Sequence, residues 1–408
     1  MSGIVMPIVQ DIVQDIIRPV VGYDDNPVIE LDLTNTASLT AWNTKYSGSY
    51  TRSSSMNVFD YEGVLQTMSA NIPAIYGARW TGTEWVNTDT DGSALTNTIG
   101  LSFWPTATNV IGSSQYRDFT HADWTKTNGS ITTGDVVLID GTTVSDKNTF
   151  TASGADATCV LSAYVSASGV HAAGVFIKRK TGHGAIYLTI DGETTWTEIT
   201  SEVDTDWNLT QLTMTELANP QFGIKLENSG DAVYLDWAQM DDGKSRVSIH
   251  PIEGGTTLAA QSYIIADVSN MGKLIQNKQG YAIAEVQLLP DDMSLLTNAI
   301  LHNGQYILYS GANHNHVASY DGTSVLNFEN ILIGYSKAAS YWGHITDKKQ
   351  ISAKGSSETA GAYVGNWGSG ALYAGSISGS SNFNGIISNL KFGVGIKTTQ
   401  AKMEAATS

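Results

Sequence analysis

The sequence predicts an all-β protein in which an N-terminal helix is followed by tandem antiparallel β-sandwich domains of the jelly-roll type. Apolar and polar residues alternate with period two in short runs, as half-buried strands require. Turn pairs such as Asp191-Gly192 bound these runs, and glycine supplies 40 of the 408 residues, a mixture that suits strands and turns better than long helices. A hydrophobic fraction of 41%, with ten Trp, provides core material and argues against disorder.

The length and charge of the chain restrict its partners. With 408 residues, the chain is long enough for two or three domains. A net charge of −17 repels nucleic acid and anionic membranes, so we expect neither as a partner. No apolar run reaches the roughly 18 residues that span a bilayer, so we expect no membrane insertion. The single Cys159 cannot form an internal disulfide, and with no signal peptide visible it predicts a core residue in a protein assembled in a reducing cytoplasm.

Residues 1–24 form the first predicted domain, an anchoring helix. Apolar pairs recur every four residues, so on a helix of 3.6 residues per turn the apolar stripe is wide and drifts around the axis. Pro19 ends or kinks this helix. Such a helix needs a partner surface, and two interpretations stay open: docking on another protein or a second copy, or packing on its own first domain. The anchoring residues are Ile4, Val5, Ile8, Val9, Ile12, Val13, Ile16 and Ile17.

Residues 25–115 form the second predicted domain, a β-rich linker or shoulder. Residues 28–33 alternate as a half-buried strand does. Residues 79–85 predict a hairpin with Gly82 in its turn.

Residues 116–250 form the third predicted domain, in which the alternation is clearest. Runs at 186–190, 222–226 and 233–237 each place three apolar residues on one face. Several short strands of this kind, separated by turns, are typical of an antiparallel sandwich or jelly roll. The same pattern places Trp237 in the core.

Residues 251–408 form the fourth predicted domain, a second sandwich. Residues 282–288 alternate again, and this pattern places Ile283 on the side away from the core. Residues 355–384 are rich in Gly and Ser and predict loops, whereas residues 398–406 have helical character.

The order of several degenerate motifs resembles that of tailed-bacteriophage fibre and spike proteins. Residues 50–55 and 59–67 resemble an R-x-S-x-A run and a G-x-x-Q-T turn, although Ala74 stands where the following N-x-P-R element has Arg. Residues 118–127 resemble the F-x-x-x-x-W-x-K start of the carbohydrate-binding-like jelly roll in those proteins. Residues 383–390 are similar to the F-x-G-x-I-x-x-L strand of concanavalin-like lectin and laminin-G domains.

The resemblance implies a virion protein: a homo-oligomeric, usually trimeric, fibre or spike on the head or tail. Its N-terminus would attach to capsid, portal or tail proteins. Three functions stay open at this point. The first is a fibre or spike that displays β-sandwich domains for adhesion to host-surface glycans. The second is a capsid decoration protein that binds no ligand, and the third is an extracellular polysaccharide-degrading enzyme that carries binding modules.

Enzymatic motifs are missing from the sequence. It has no H-E-x-x-H, no P-loop, no G-x-S-x-G and no pair of Cys, so we expect no enzyme. Acidic residues at 202–206, 241–242 and 291–292 offer pairs of the kind a glycosidase needs, but adjacent acids in loops are usually solvated. His314 and His316 lie close together; as a metal site this pair would need further ligands from elsewhere, and the alternative, which we favour, is an exposed polar loop.

A structural calcium is the one cofactor that the sequence leaves open. Residues 87–92 resemble the start of a calcium loop, but Thr98 stands where such a loop places a bidentate Glu, and an Asx turn is the alternative. Asp236 matches the last-strand acid that binds calcium in some carbohydrate-binding jelly rolls. Apart from calcium, we expect no cofactor.

A cluster of aromatic residues in the fourth domain is the predicted sugar site. Aromatic rings stack on sugar C–H groups and amides bind hydroxyls, so a site combines rings with a few polar groups. The alternative is that the same rings fill the core of the domain. The predicted residues are Tyr341, Tyr363, Asn366, Trp367 and Tyr373.

Overall fold

A computed structural model describes most of the chain, with gaps. The predicted anchoring helix over residues 1–24 lies outside the described residues, as do His314 and His316. The described ranges are 29–96, 99–244, 246–267, 269–270, 280–288, 297–302, 306–311, 317–320, 325–328, 334–342, 348–353, 356–362, 371–375, 385–394 and 400–408.

The described residues lie mostly in antiparallel strands, which confirms the predicted all-β class. They form two compact units. We call residues 50–261 the middle unit, and the described residues up to 49 together with those from 262 onward the terminal unit. The domain boundaries after residues 24, 115 and 250 stay predictions.

The first elements include a capped helix and the predicted hairpin. The Asn35 side chain accepts a hydrogen bond from the Ser38 N–H at 2.8 Å and so caps helix α1. The predicted hairpin forms, and Trp80 pairs with Trp85 across it. In chain order the elements are β1 (Ile29–Asp32), α1 (Thr36–Tyr46), β2 (Ser49–Thr51), β3 (Met56–Phe59), β4 (Leu65–Met68), β5 (Ile75–Tyr76), β6 (Arg79–Trp80), β7 (Trp85–Val86), β8 (Gly100–Phe103) and β9 (Ala107–Thr108).

Most of the remaining strands of the middle unit form two five-stranded sheets. One, the front sheet, has the order β10-β15-β20-β17-β18, and the other, the back sheet, has the order β11-β14-β21-β16-β19. These elements are β10 (Trp124–Thr127), β11 (Gly129–Thr132), β12 (Val136–Val137), β13 (Thr143–Val144), β14 (Thr149–Ala152), β15 (Ala157–Leu161), β16 (Gly169–Thr181), β17 (Ile186–Thr189), β18 (Thr197–Glu198), a 3₁₀ turn (Thr200–Glu202), β19 (Asn208–Leu217), β20 (Gly223–Leu226), β21 (Ala232–Asp242) and β22 (Thr257–Leu258).

The two sheets of the middle unit pack face to face around one core, as the predicted sandwich requires. Ile224 from the front sheet and Val175 and Val233 from the back sheet belong to the same fully buried cluster. Cys159 also lies in this cluster, as expected, and burial raises the pKa of its thiol to about 12. Since successive residues of a strand point to opposite faces, the neighbours of these core residues face outward.

Trp237 departs from the predicted alternation. Its φ is 49°, and the register of β21 against β16 shifts beside it, so β21 carries a β-bulge at this position. The bulge moves Trp237 out of the sandwich core. The indole packs instead against Ile139 and Phe176 in a second buried cluster, which covers part of the outer face of the back sheet.

The terminal unit contains two antiparallel sheets and a second helix. One sheet runs β31-β30-β29-β24-β33 with β1 on β33, and the other runs β23-β32-β25-β26-β27-β28. The elements are β23 (Ser262–Ala266), β24 (Gly280–Leu288), β25 (Thr297–His302), β26 (Tyr306–Gly311), β27 (Val317–Tyr320), β28 (Val325–Phe328), β29 (Gly334–Trp342), β30 (Lys348–Ala353), β31 (Ser356–Ala362), β32 (Leu372–Gly375), β33 (Gly385–Val394) and α2 (Gln400–Thr407).

The first half of strand β24 is buried on both faces, which corrects the predicted outward position of Ile283. Ala282 and Ala284 are buried, as the alternation predicts. Ile283 is buried too, because it packs with Ala339 and with Met403 of α2. The C-terminal helix therefore covers the face that period-two alternation assigns to solvent.

Candidate functional site

The predicted sugar site is only partly described. Tyr363, Asn366 and Trp367 lie outside the described residues. Tyr341 lies on β29 and Tyr373 on β32, so the two belong to different sheets of the terminal unit. The ring of Tyr373 stacks on His302, with centroids 5.0 Å apart and planes at 5°. One face of this ring is thus covered by a protein side chain, and the sugar site in this unit stays a prediction.

The outer face of the back sheet carries a row of polar and aromatic side chains. Thr149 pairs across neighbouring strands with both Thr132 and Tyr234. Tyr234 pairs in turn with Lys178 on the next strand. Directly opposed residues share a face, and the strand neighbour Val233 points into the core, so the row faces away from the core.

Four side chains at the end of this row form what we call the Tyr234 cluster: Lys178, Lys180, Trp207 and Tyr234. The Nζ atom of Lys178 lies 4.6 Å from the ring centroid of Trp207 and 5.4 Å from that of Tyr234. The Nζ atom of Lys180 lies 5.1 Å from the Tyr234 centroid. All three distances fall within the roughly 6 Å over which an aromatic ring attracts a cation. Both rings are half-buried and Lys180 is exposed, so solvent reaches the cluster.

The backbone holds the Tyr234 cluster in place. Lys178 and Tyr234 lie in the long, centrally paired strands β16 and β21, and Trp207 immediately precedes β19. The indole Nε1 of Trp207 donates a hydrogen bond to the Val137 carbonyl at 3.0 Å, which fixes the ring. Sites built on paired strands keep their geometry better than sites on loops.

The ammonium groups of the Tyr234 cluster have no close acidic partner within the described part of the chain. No described carboxylate lies within 4.0 Å of the Nζ atom of Lys178 or Lys180. Burial lowers the pKa of Lys178, and the more distant charge of Asp206 opposes this shift. The two lysines flank Arg179, and no other three consecutive basic residues occur in the sequence.

A second aromatic–lysine cluster, the Tyr187 cluster, lies on the outer face of the front sheet and consists of Tyr187, Trp196 and Lys225. The Nζ atom of Lys225 lies 4.3 Å from the Tyr187 centroid and 5.3 Å from the Trp196 centroid. It also lies 3.6 Å from Oδ1 of Asp156. The cation of this cluster therefore already has a carboxylate partner.

Acidic residues surround the Tyr187 cluster. Glu198 pairs directly with Tyr187 on the neighbouring strand. Desolvation raises the pKa of Tyr187, and the charges of Glu227, Glu198 and Asp156 add to the shift. The Tyr187 and Tyr234 clusters thus combine the same residue types, but Lys225 has a carboxylate at 3.6 Å, whereas every described carboxylate lies more than 4.0 Å from the lysines of the Tyr234 cluster.

Asp236, the predicted calcium ligand, is paired with a guanidinium. Its buried carboxylate accepts hydrogen bonds from Arg117 Nε at 2.8 Å and Nη2 at 3.2 Å, and from the Ile139 N–H at 3.1 Å. Arg117 Nη1 also donates to Asp140 at 2.6 Å. Burial raises the pKa of Asp236, and Arg117 opposes this shift. At the half-exposed Asp140, burial also acts to raise the pKa. There the hydrogen bonds from Arg117 and Thr142 outweigh burial and lower the pKa to about 2. A protein cation therefore occupies the place that the sequence offered to calcium.

The string at residues 87–92 forms a tight turn. The Gly92 N–H donates to the Asp89 carbonyl at 3.1 Å, and the Asp91 carboxylate accepts from the Ser93 N–H at 2.8 Å. The Asp89 carboxylate accepts from the Tyr61 hydroxyl. This is the Asx-turn alternative to a calcium loop.

A buried Ser–His pair was not found from the sequence. Ser102 Oγ lies 2.6 Å from His250 Nε2, and the two residues are 148 positions apart, so no local motif marks them. Both side chains are buried, and burial lowers the pKa of His250 to about 3, which keeps the ring neutral. The cavity beside His250 measures about 70 Å³, well below the roughly 300–1,000 Å³ of a ligand pocket. Ser102 is therefore shielded from a polymeric substrate.

The acidic residues that the sequence offers as pairs have different roles in the structure. Asp241 is buried, whereas the side chain of its neighbour Asp242 is 45% exposed. Asp204 accepts hydrogen bonds from the Asp206 N–H and the Asn208 side chain, both at 2.8 Å, and so shapes an exposed turn. Residues 291–292 lie outside the described residues.

A groove in the terminal unit exposes no aromatic ring. It measures about 320 Å³ and lies between β1 and α1. Trp42 and Tyr46 line it, but both side chains are buried, and Lys391 pairs with Glu30 at 3.1 Å at its edge. The Tyr234 cluster is therefore the stronger candidate.

The sheets of the middle unit define a β-sandwich protein. No family model and no curated protein matches the chain. Among solved structures, one similar chain is the CBM40 of the Ruminococcus gnavus IT-sialidase bound to α2,3-sialyllactose, with TM-score 0.28, 14% identity, and coverage of 34% of this chain and 86% of that one. Another is the Clostridium thermocellum Xyn10B CBM22-1–GH10 pair complexed with xylohexaose, with TM-score 0.25, 16% identity, and coverage of 33% and 28%.

Mouse laminin α1 domains LG4-5 are also similar, with TM-score 0.22, 10% identity, and coverage of 59% of this chain and 86% of that one. Similarity at such low TM-scores supports no conclusion about function. The resemblance to phage fibre proteins stays a prediction. No helix within the described ranges has the length and apolarity needed to cross a bilayer.

Proposed function

We propose that this protein is a non-catalytic glycan-binding protein whose middle unit holds sugar at the Tyr234 cluster. The observation that carries the proposal is the Tyr234 cluster on the outer face of the back sheet, where two half-buried aromatic rings and two ammonium groups lie side by side. Rings that present apolar surface beside a few fixed polar groups are the usual composition of a sugar site.

The geometry of the cluster favours binding because few of its side chains must become ordered when a ligand binds. Trp207 is fixed by its hydrogen bond to Val137, and Tyr234 is flanked by Thr149 and Lys178 in the sheet. Immobilising a mobile side chain costs about 0.5–1.5 kcal/mol on binding, so side chains held in advance reduce that loss. Each ammonium offers three N–H donors to sugar oxygens.

The non-catalytic part of the proposal is supported by the places of the reactive groups. Ser102 and His250 are buried together, and the acids at 204, 206, 241 and 242 shape turns or lie on opposite sides of one strand. A glycosidase needs two carboxylates at about 5–9.5 Å across an open cleft.

We further propose that the protein is a phage fibre or spike. Its support is the motif order at residues 50–67, 118–127 and 383–390, together with the apolar segment at residues 1–24. We propose that this segment attaches a homotrimer to capsid, portal or tail proteins of the virion, and that the sandwiches contact host-surface glycans. A decoration protein without a ligand is the alternative.

A glycan array probed with the intact chain tests the proposed function. We expect binding to at least one bacterial surface oligosaccharide, with a loss of about tenfold or more in affinity for Tyr234→Ala. Tyr187→Ala is the matched control, since it removes the same ring from the opposite sheet and should bind normally. Absence of binding to every glycan on the array would favour a decoration protein that binds no ligand. Equal losses in both variants, with unchanged melting temperatures, would contradict the Tyr234 cluster as the site.

A further inference from the structure

We infer that the Tyr234 cluster selects sugars that carry a carboxylate over neutral sugars. The inference rests on the proposed function and adds the class of ligand. It depends on how the two lysines of the cluster are held and on what they lack.

The lysines of the Tyr234 cluster have their charges available. No described carboxylate lies within 4.0 Å of Lys178 or Lys180, whereas Lys225 in the Tyr187 cluster has Asp156 at 3.6 Å. A charge that is already paired offers little to a ligand. An ammonium with no carboxylate within 4.0 Å gains a charge-assisted hydrogen bond when a carboxylate arrives, and such bonds are stronger than those between neutral groups.

The placing of two ammonium groups beside one ring also favours an anion. Lys178 lies within 6 Å of the centroids of both Trp207 and Tyr234, and Lys180 lies within that distance of Tyr234. The negative ring faces thus attract ammonium groups. Two cations near one ring repel each other, and a carboxylate close to both reduces this repulsion. A neutral sugar provides no such compensation.

The contrast with the rest of the chain strengthens the inference. The net charge is −17, so the protein as a whole repels anions. Attraction for a carboxylate must therefore act at short range, within the roughly 8 Å screening length of physiological salt. The sequence concentrates three consecutive basic residues at 178–180, and two of them project onto the cluster.

The test compares acidic and neutral members of matched glycan pairs on one array, using the intact chain. One such pair is trigalacturonic acid and its methyl ester, in which esterification removes the charge of each carboxyl group and adds a methyl group. A triglutamate peptide tests whether a carboxylate without a sugar suffices. We expect the acidic member of each bound pair to bind at least about tenfold more tightly. We expect the triglutamate peptide not to bind.

Lysine variants assign that preference to the cluster. Lys178→Gln and Lys180→Gln should each abolish most of the preference for the acidic member, Lys180→Arg should retain it, and Lys225→Gln should leave it unchanged. Melting temperatures check that each variant is folded. A neutral member bound as tightly as its acidic partner would overturn this inference and leave the proposed function standing. Tight binding of triglutamate would overturn sugar recognition, and silence on every glycan would overturn the proposed function itself.

Discussion

The Nζ atom of Lys178 lies 4.6 Å from the ring centroid of Trp207, although the two residues are 29 positions apart in the sequence. The pairing of β16 with β19 brings them together. A free lysine side chain loses up to about 2 kcal/mol of conformational freedom when it is fixed, and the ring removes part of that freedom before any ligand binds. The contact thus connects the topology of the sheet to the readiness of the site.

Removing the ring should weaken glycan binding without unfolding the protein. Trp207→Leu leaves Lys178 with fewer attractive contacts, and an exposed cation–π pair contributes about 0.5–1 kcal/mol, so we expect the dissociation constant for a carboxylated glycan to rise about two- to fivefold. Isothermal titration measures the change. Trp196→Leu removes the equivalent ring beside Lys225 and should have no effect; equal effects of both variants would contradict the assignment.

Removing Arg117 should strongly destabilise the middle unit. Arg117→Met leaves Asp236, whose side chain has no exposed surface, as an uncompensated buried charge, a change that costs about 3–5 kcal/mol. Urea denaturation measures the free energy of unfolding. The control is Lys147→Met, because Lys147 and Asp118 form a solvent-exposed pair at 4.0 Å that should contribute less than about 1 kcal/mol. A similarly small loss for Arg117→Met would show that the Arg117–Asp236 pair contributes little to the free energy of unfolding.

A methyl group at Gly174 should disturb the contact of β16 with its neighbours. A Cβ atom there would lie 2.7 Å from the Thr210 carbonyl oxygen and 3.2 Å from Val247 Cγ2. Because a backbone oxygen cannot move aside freely, we expect Gly174→Ala to cost about 1–3 kcal/mol. Gly169→Ala, on the same strand, meets no atom within 4 Å and should change the free energy of unfolding little. The melting curves of the two variants show whether Gly174→Ala destabilises the protein more than Gly169→Ala does, and equal losses would contradict the prediction.

Asp241 should make stability depend on pH. Burial raises the pKa of this carboxyl from 3.8 to about 7, while Gln239 and the Ser248 N–H oppose the shift. The folded state therefore holds a proton that the unfolded state releases above about pH 4, so the contribution of Asp241 to stability is present below that pH and is lost as pH rises to about 7.

The variant Asp241→Asn removes this titration. We expect its stability relative to the parent protein to increase between pH 4 and 7, by up to about 1.4 kcal/mol per pH unit. Urea denaturation at pH 4.5, 6 and 7.5 measures the difference, in which the titration of His250 cancels because both proteins contain it. A difference that stays constant across this range would contradict a raised pKa at Asp241.

The strands of the sandwich follow from the sequence because period-two alternation is local. Ile186 and Leu188 are fully buried as predicted, and the hairpin predicted at 79–85 forms. Trp237 is buried, as predicted, but on the other face of its sheet, because a β-bulge depends on the partner strand, β16, and not on neighbouring residues. Ile283 was misplaced because the helix that covers it is more than 100 residues away in the sequence.

The candidate site could be found only in part from the sequence. The basic run at 178–180 is visible in an otherwise acidic chain, but the partners Trp207 and Tyr234 come from other strands, and their distances depend on register. The rings singled out in the fourth domain drew attention because they lie close together in sequence. For those that the structure describes, proximity in sequence does not translate into one face: Tyr341 and Tyr373 lie in different sheets.

The most direct measurement follows individual lysines while a carboxylated oligosaccharide binds. Reductive ¹³C-dimethylation keeps each ammonium charged, and Lys→Arg variants assign the signals of Lys178, Lys180 and Lys225 in a two-dimensional NMR spectrum. We expect the signals of Lys178 and Lys180 to shift as the oligosaccharide is added and that of Lys225 to stay in place. Saturable binding that shifts Lys225, or shifts none of the three, would contradict the Tyr234 cluster as the glycan site.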